Sequence, residues 1–526
     1  MTIPLPFHRI HGKLRGLDAA GRSPTMEGRF GRMFHTLSPA VFGEDDLAKL
    51  ANEMIAEFEK PQDQTPESAD PPDDEENVGP DHTSPAISAG YTYFGQFIDH
   101  DLTFDPASSL QKENDPDALV DFRTPRFDLD NIYGRGPDDQ PYLYQPDGVR
   151  MLLGRALTGN DADPNARDLP RNNPATGPKR ALIGDPRNDE NVIVSQLQAT
   201  FLRFHNRMAD VLKAARPDDF HSVQKQVRWH YQWVVLNDFL PTIIGPDMVD
   251  AILPHLCKKT TIYKDPPQLK FYTPRKEPYM PVEFSVAAYR FGHSMVRPIY
   301  RLNEHVPETE DGVRIPIFSA TPPSLVGFGE FPSNWAVDWR LFFKMGPAPA
   351  KGKTRIQPAY KIDASLVNPL GDLPTPVTGP TPMPSLAQRN LVRGLRMGLP
   401  SGQAVAAAMG IPVVPDEKLR VGKANADDFD KNKLLVKISS AFRNNAPLWY
   451  YVLAESMQVF KDNDTPIRLG PVGGRIVGEV FAGLLLGDSH SFPIQHPHWR
   501  PHPELVDRNG TFGIAQLITQ ALQATP

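Results

Sequence analysis

Cysteine is almost missing from this chain of 526 residues, which carries one, Cys257. No intramolecular disulfide can form, so a disulfide-stapled scaffold and Cys-rich zinc modules are excluded. Long apolar runs are missing as well. The longest of note, Val480-Phe481-Ala482-Gly483-Leu484-Leu485-Leu486, falls far short of the ~18 residues a membrane span needs. The first residues, MTIPLPFHRIHGKLRG, lack the apolar stretch of a cleavable secretory signal. The expected compartment stays open: cytoplasmic, or reached by export without such a signal. Basic excess is absent too, since 56 Lys+Arg face 63 Asp+Glu for a net charge of −7, which argues against a nucleic-acid partner. What is abundant is proline: 56 residues, about twice the usual ~5%. With 40% hydrophobic and 23% charged residues, the chain has the composition of a globular protein with a large core.

The acid is concentrated. Residues 60–85, KPQDQTPESADPPDDEENVGPDHTSP, hold eight acids against Lys60, together with six prolines. That segment accounts for the whole net charge and reads as a solvated loop or linker. A second Pro-rich stretch, 346–385, keeps apolar residues between its prolines, which suggests a strap lying on a core.

Between these stretches the periodicity is helical. Val194, Leu197, Phe201, Phe204, Met208 and Val211 fall at spacings of three and four, tracing one helix face. Val223, Val227, Tyr231 and Val234 repeat the pattern before Pro241. Further helices are expected at 281–296, 385–410, 434–458 and 472–487, and strands are few and short. The fold class is therefore mainly α, with long Pro-rich loops. The candidate chemical residues are scattered from 96 to 393, which favours one large domain. The expected division is an extension over 1–29, a domain over 30–490 and a C-terminal segment over 491–526 packed on it.

Five short segments carry groups suited to chemistry. In YTYFGQFIDHDLTFD, 91–105, a helix puts Gln96 and His100 about 40° apart on one face, while Asp99 and Asp101 point about 200° apart. The plain alternative is a surface helix end with clustered charge. In FRTPRFDLDNIYG, Thr124, Asp128 and Asp130, with the carbonyl of Arg126, supply hard oxygens suited to calcium. Taken alone, these residues favour the plainer reading of an Asx-rich turn. In IGDPRNDEN, Arg187 and Glu190 stand three apart before the long helix, over one site or as an ordinary ion pair. His293 lies in an apolar run beside Gly292, where the missing side chain gives a flat ligand room, although lone histidines on apolar faces are commonly core residues. Asn390 and Arg393 share a face of what otherwise reads as a basic amphipathic helix. Two other stretches carry no such pattern. The glycines of LGPVGGRIV, 469–477, suit close helix packing, and His490, His496, His498 and His502 lie among prolines that break any ligand spacing.

Taken in order, GQFIDHDLTF, RFDLDNIYG, GDPRNDEN with FLRFHNRMA, YRFGHSMVRP and RNLVRGLRMGLPSG resemble the animal haem peroxidase superfamily over about residues 30–490. The wording of the last, with LGPVGGRIV, looks most like the bacterial peroxidase branch. The resemblance implies a helical haem domain. It matches His293 to the proximal haem ligand and Asn390 to the asparagine on its other ring nitrogen. It matches His100, Arg187 and Gln96 to the distal histidine, arginine and glutamine. Arg290 and Arg393 match arginines around the haem, Arg290 the one pairing with a propionate. Asp101, Thr124, Arg126 through its carbonyl, Asp128 and Asp130 match calcium ligands. The implied cofactors are haem b and Ca2+, and the implied substrates are hydrogen peroxide with an organic or halide donor, in the setting of oxidative stress. Oligomeric state is not implied.

Departures from the pattern carry expectations of their own. Asp99 and Glu190 stand where mammalian members form ester bonds to haem, so such links are open here. Asn191 stands where myeloperoxidase has methionine, which removes its sulfonium link. Arg290 stands where cyclooxygenases carry a radical tyrosine, which disfavours the alternative of a fatty-acid dioxygenase. A second alternative, a non-catalytic binding or adhesion protein on this fold, is disfavoured by His100, Arg187, His293 and Asn390 occurring together.

Overall fold

A computed structural model of the chain describes residues 30–57, 76–79, 85–103, 124–273, 278–306, 314–319, 322–349, 352, 354–378, 383–425, 429–460 and 465–524. The expected extension over 1–29 and most of the acidic segment, 60–75 and 80–84, lie outside them.

The described helices of eight residues or more are α1 (Glu44–Met54), α2 (Gly90–Leu102), α3 (Val192–Val211), α4 (Phe220–Val234), α5 (Leu386–Arg396), α6 (Gly402–Met409), α7 (Leu448–Phe460), α8 (Pro471–Gly487) and α9 (Ile514–Leu522). Strands among the described residues are two-residue pairs: Phe30–Gly31 runs parallel to Met280–Pro281, Ile299–Tyr300 antiparallel to Ile315–Pro316, and Arg420–Val421 antiparallel to Lys433–Leu434. The fold is mainly α, as the periodicity indicates.

Helix α3 is the central element. Its apolar face is the one traced in the sequence, but the helix is buried almost all round. Several of its buried polar residues are tied down: Gln196 donates to Trp335 O (2.8 Å) and accepts from Val337 N (2.7 Å), and Arg203 grips Asp163 through two hydrogen bonds. Against it lies α2, where Phe97 stacks on Phe201 with centroids 4.4 Å apart, a pairing worth ~0.5–1.5 kcal/mol beyond its area. Helix α9 covers another side, with Arg203 donating to Leu522 O and Asp238 accepting from Ile514 N.

The glycines of α8 do serve packing: a Cβ on Gly473 would meet Val452 at 2.6 Å, on Gly478 Ile252 at 2.5 Å, and on Gly483 Tyr272 at 2.1 Å. The stretch 355–367 of the Pro-rich strap is likewise buried. Ala359 N donates to Ile87 O, Tyr360 N to Met295 O and Leu366 N to Met54 O, so it threads between α1, the entry to α2 and the chain after His293.

Three expectations need correction. The segment 281–296 is not an α-helix: it is a π turn, Glu283–Ala287, followed by a 3-10 helix, Ala288–His293, with the change at Ala287 (φ −128°, ψ −78°). Apolar periodicity over a dozen residues does not resolve 3.0 from 3.6 residues per turn. The stretches 385–410 and 434–458 are each broken, the first at Gly398 (φ +60°), the second before α7. The acidic segment is not solvated at 76–79, where Glu76 is fully buried between Arg297 and Arg355, the latter at 2.8 Å. These partners lie 221 and 279 residues away, beyond the reach of a local charge count.

Candidate functional site

Four segments are joined by side-chain contacts: α2 to the short 3-10 helix Pro186–Asp189 and Glu190 after it through Gln96 and His100, α2 to the 3-10 helix ending at His293 through Tyr289, and that helix to α5 through Asn390. Gln96, Asp99, Arg187, Glu190, Arg290 and His293 all keep partly accessible surface, although burial dominates the ionisation of Arg187, Glu190, Arg290 and His293. Side chains that are enclosed by protein and still accessible line an internal cleft. Beside His293 the cleft is open: a Cβ built on Gly292 meets nothing within 4 Å.

On one wall, α2 sets Gln96 and His100 one turn apart on a shared face. His100 Nδ1 lies 2.6 Å from Asn188 Oδ1, Asn188 Nδ2 donates to Gln198 Oε1 at 2.8 Å, and Gln198 Nε2 donates to the Asn131 carbonyl at 3.1 Å. A carbonyl can only accept, so it fixes the Gln198 amide, which fixes the Asn188 amide, which requires Nδ1 of His100 to carry the proton. The lone pair of Nε2 is left available. Burial, then Arg187, push the His100 pKa down to about 4 against the opposing pull of Asp185 and Asp99, so the ring is a neutral base at pH 7.

Arg187 does not pair with Glu190 as the i,i+3 spacing allowed. Asp185, fully buried, takes its guanidinium at 2.9 Å, and Arg187 also donates to the carbonyls of His100 (3.2 Å) and Thr103. Burial weakens its hold on the proton, but Asp185 outweighs this and raises its pKa. The backbone that carries these residues is clamped from outside. Val192 N donates to Leu325 O (3.0 Å), Gly327 N to Glu190 O (2.9 Å) and Phe328 N to Asp189 O (2.5 Å). Gly327 is required there, because a Cβ would sit 1.9 Å from Asp189 O. Glu190 accepts a hydrogen bond from Gln96, and burial lifts its carboxyl to about 7.

On the opposite wall, the 3-10 geometry eclipses residues three apart and so brings Arg290 and His293 to one side chain, Asn390. Arg290 Nη1 donates to Asn390 Oδ1 (3.0 Å), and Asn390 Nδ2 faces His293 Nδ1 (2.8 Å). Because guanidinium only donates, this turns the amide NH2 to His293 and makes Nδ1 an acceptor. A histidine that ligates metal through Nε2 and donates from Nδ1 needs the amide reversed, with Arg290 engaged elsewhere. Burial, then Arg290, press the His293 pKa down to about 3. Arg290 is itself lowered to about 10 by burial first and then by Arg393, with Arg389 and Arg187 adding to it. Arg389 is a residue the sequence reading missed. Its one signal was the i,i+4 spacing to Arg393 on α5, absorbed into a basic amphipathic face. Guanidinium groups this close suit a ligand bearing carboxylates, and the open space at Gly292 suits a flat one, so the residues present fit haem.

Of the expected calcium ligands, Asp101 lies on α2 and the others lie in the stretch 124–130. Asp101, Thr124, Arg126, Asp128 and Asp130 are all buried. Asp101 and Asp128 both act on buried Tyr231 and raise its pKa after burial has done so. Leu129, between Asp128 and Asp130, takes a left-handed conformation (φ +58°) that bends the loop. However, Thr124 donates to Asp128 (2.6 Å), and Arg126 approaches Asp488 at 3.9 Å. Among the described residues no three His, Cys, Asp or Glu side chains converge into a metal cage. The donor chemistry of the set fits a hard cation.

Residues 111–324 match the sequence profile of the family described as animal haem peroxidase. Thyroid peroxidase of Canis lupus familiaris is 27% identical over 316 residues, covering 58% of this chain and 29% of that protein. Thyroid peroxidase of Sus scrofa is 26% identical over 381 residues, covering 69% and 37%. The matched stretches thus span well under half of these relatives. Among solved structures, peroxidase A from Dictyostelium discoideum superposes with a TM-score of 0.59 over 94% of this chain and 93% of that one, at 16% identity. Fatty acid alpha-dioxygenase of Arabidopsis thaliana gives 0.53 over 95% and 76%, at 12% identity. At such identities the two structures establish a shared fold. No described helix is long and apolar enough to cross a membrane.

Proposed function

From its membership of the animal haem peroxidase superfamily, we propose that this chain is a haem-dependent peroxidase that reduces hydrogen peroxide and oxidises an organic, phenolic or halide donor. The observation that carries the reading is a neutral, tautomer-fixed base, His100, beside a guanidinium, Arg187, that Asp185 keeps cationic, together with a second histidine, His293, held by Asn390.

Haem, when bound, supplies the iron that receives peroxide and takes up its oxidising equivalents. His293 would hold the iron. Arg290 and Arg393, with Arg389, would receive the propionates, and a carboxylate on Arg290 would release Asn390 to accept from His293 Nδ1–H. His100 Nε2 takes the proton of one peroxide oxygen and delivers it to the other, acting as base and then acid. Arg187, kept cationic by Asp185, stabilises negative charge growing on the departing oxygen. Gln96 lines the same wall and hydrogen-bonds the small molecule held there. Asp101, Thr124, the Arg126 carbonyl, Asp128 and Asp130 would hold Ca2+ and tie α2 to the loop before Asn131, whose carbonyl ends the His100 relay. Asp99 and Glu190 stand as the sites for ester links to haem, which acid–solvent extraction tests directly.

The test is peroxide-dependent phenol oxidation by the purified holoprotein. His100→Leu should lower kcat/KM for peroxide by ~10²–10⁴-fold, and an unchanged value rejects the role of His100. One observation bears on the dioxygenase reading. Tyr289, adjacent to Arg290, is buried and donates to Gly95 O at 3.2 Å on α2. Oxygen uptake with a long-chain fatty acid that is lost in Tyr289→Phe would favour that reading over ours.

A further inference from the structure

Asn191 occupies the boundary between the Arg187 segment and α3. Its side-chain Oδ1 caps α3, accepting from Ile193 N at 3.0 Å and Val194 N at 2.9 Å. Two backbone donors on one oxygen settle which way the amide faces. Its NH2 must then point away from the helix, and it meets Gln96 Oε1 at 3.3 Å. Gln96 Oε1 is thereby satisfied by a donor, which turns the Gln96 NH2 toward Glu190, its acceptor. An amide NH2 carries two hydrogens. With one given to Glu190, the other remains for the cleft that Gln96 lines. The backbone of Asn191 is itself fixed, paired with Val326 in the clamp that holds Glu190 and Val192. The orientation of Gln96 therefore descends from a helix cap.

We propose that Asn191 is a positioning residue that locks Gln96 as a hydrogen-bond donor toward the cleft, so that the site favours small anions and other acceptors over ligands that need an acceptor there. The inference rests on the peroxidase reading, in which Gln96 matches the distal glutamine, and goes beyond it in assigning the residue that sets which way that amide faces. It also gives Asn191 a function at a position where the family resemblance marked only the loss of a sulfonium link.

The experiment uses the ferric holoprotein and azide as the probe anion, with affinity read from the Soret shift and thermal unfolding followed in parallel. Asn191→Ser keeps a capping oxygen and removes the amide donor, so the thermal midpoint should hold while azide affinity falls about three- to tenfold, the weight of one hydrogen bond. Gln96→Leu should weaken azide by a similar factor, and the double variant should be no weaker than Gln96→Leu alone. Asn191→Ala, which loses the cap, should lower the thermal midpoint as well. Azide binding by Asn191→Ser equal to wild type overturns the inference, as does a serine effect that persists in full in the Gln96→Leu background. A protein that takes up no haem overturns the peroxidase reading itself, an outcome visible in the wild type before any variant is compared.

Discussion

Gly327→Ala should disable the site without touching a residue in it. A Cβ at this position would lie 1.9 Å from Asp189 O and 3.0 Å from Asn191 N. Carbon and carbonyl oxygen need at least ~3.0 Å, so one of the two backbones must retreat by about 1.1 Å, and neither atom can rotate away. The hydrogen bonds from Gly327 N to Glu190 O and from Phe328 N to Asp189 O run across the same gap. Stretching both costs about 1 kcal/mol each, added to ~1–3 kcal/mol for the overpacking. The displaced segment carries Arg187, Glu190 and Asn191, and misplacing a reacting group by about 1 Å can cost ~10²-fold in rate. The assays are thermal unfolding and kcat/KM for peroxide on haem-replete protein. A lowered midpoint with a rate loss of ~10-fold or more is expected. Full activity at unchanged stability would show that the clamp does not position the Arg187 segment.

Three other outcomes follow from the same geometry. Asn188→Leu removes the acceptor for His100 Nδ1–H and orphans Gln198 Oε1, so haem-replete protein should lose peroxide turnover at least tenfold at every pH, and an unaffected rate would break the tautomer relay. His205 and His230 are buried, and burial holds both at about 4, below their ordinary value. The stability they contribute is present above pH ~6.5 and is lost as pH falls through about 4, by up to ~3 kcal/mol each. His205→Gln should flatten the fall in unfolding free energy between pH 6.5 and 4, and an unaltered slope counts against it. Arg389→Gln should weaken haem retention on dilution several-fold, and equal retention would remove Arg389 from the cofactor's surroundings.

What the sequence revealed and concealed divides on physical lines. Period-3.6 patterns located α3, α4 and α8, because long packed helices expose their period directly. The clustering of Gln96 and His100 on one face was legible from spacing. The partners of these groups were not: Asn188, Gln198 and Asn131 fix His100 through contacts across three segments, and each is an unremarkable amide when read locally. The turn from π to 3-10 before His293 was also hidden, although it brings Arg290 and His293 to the same asparagine. Glu76 was read as solvated because its neighbours are acidic, and its guanidinium partners come from distant parts of the chain. The proline excess did locate a strap, since apolar residues between its prolines give it something to bury.

The central claim is that His293 and the opposed His100–Arg187 pair enclose a haem that reacts with peroxide. It is tested most directly by the visible spectrum of the full chain, purified after expression with ample haem supply, before and after one equivalent of hydrogen peroxide. A Soret band near one haem per chain that shifts on adding peroxide, and that is missing in His293→Ala, is the predicted result. A colourless wild-type protein, or a His293→Ala variant that keeps both the band and its response to peroxide, would contradict it.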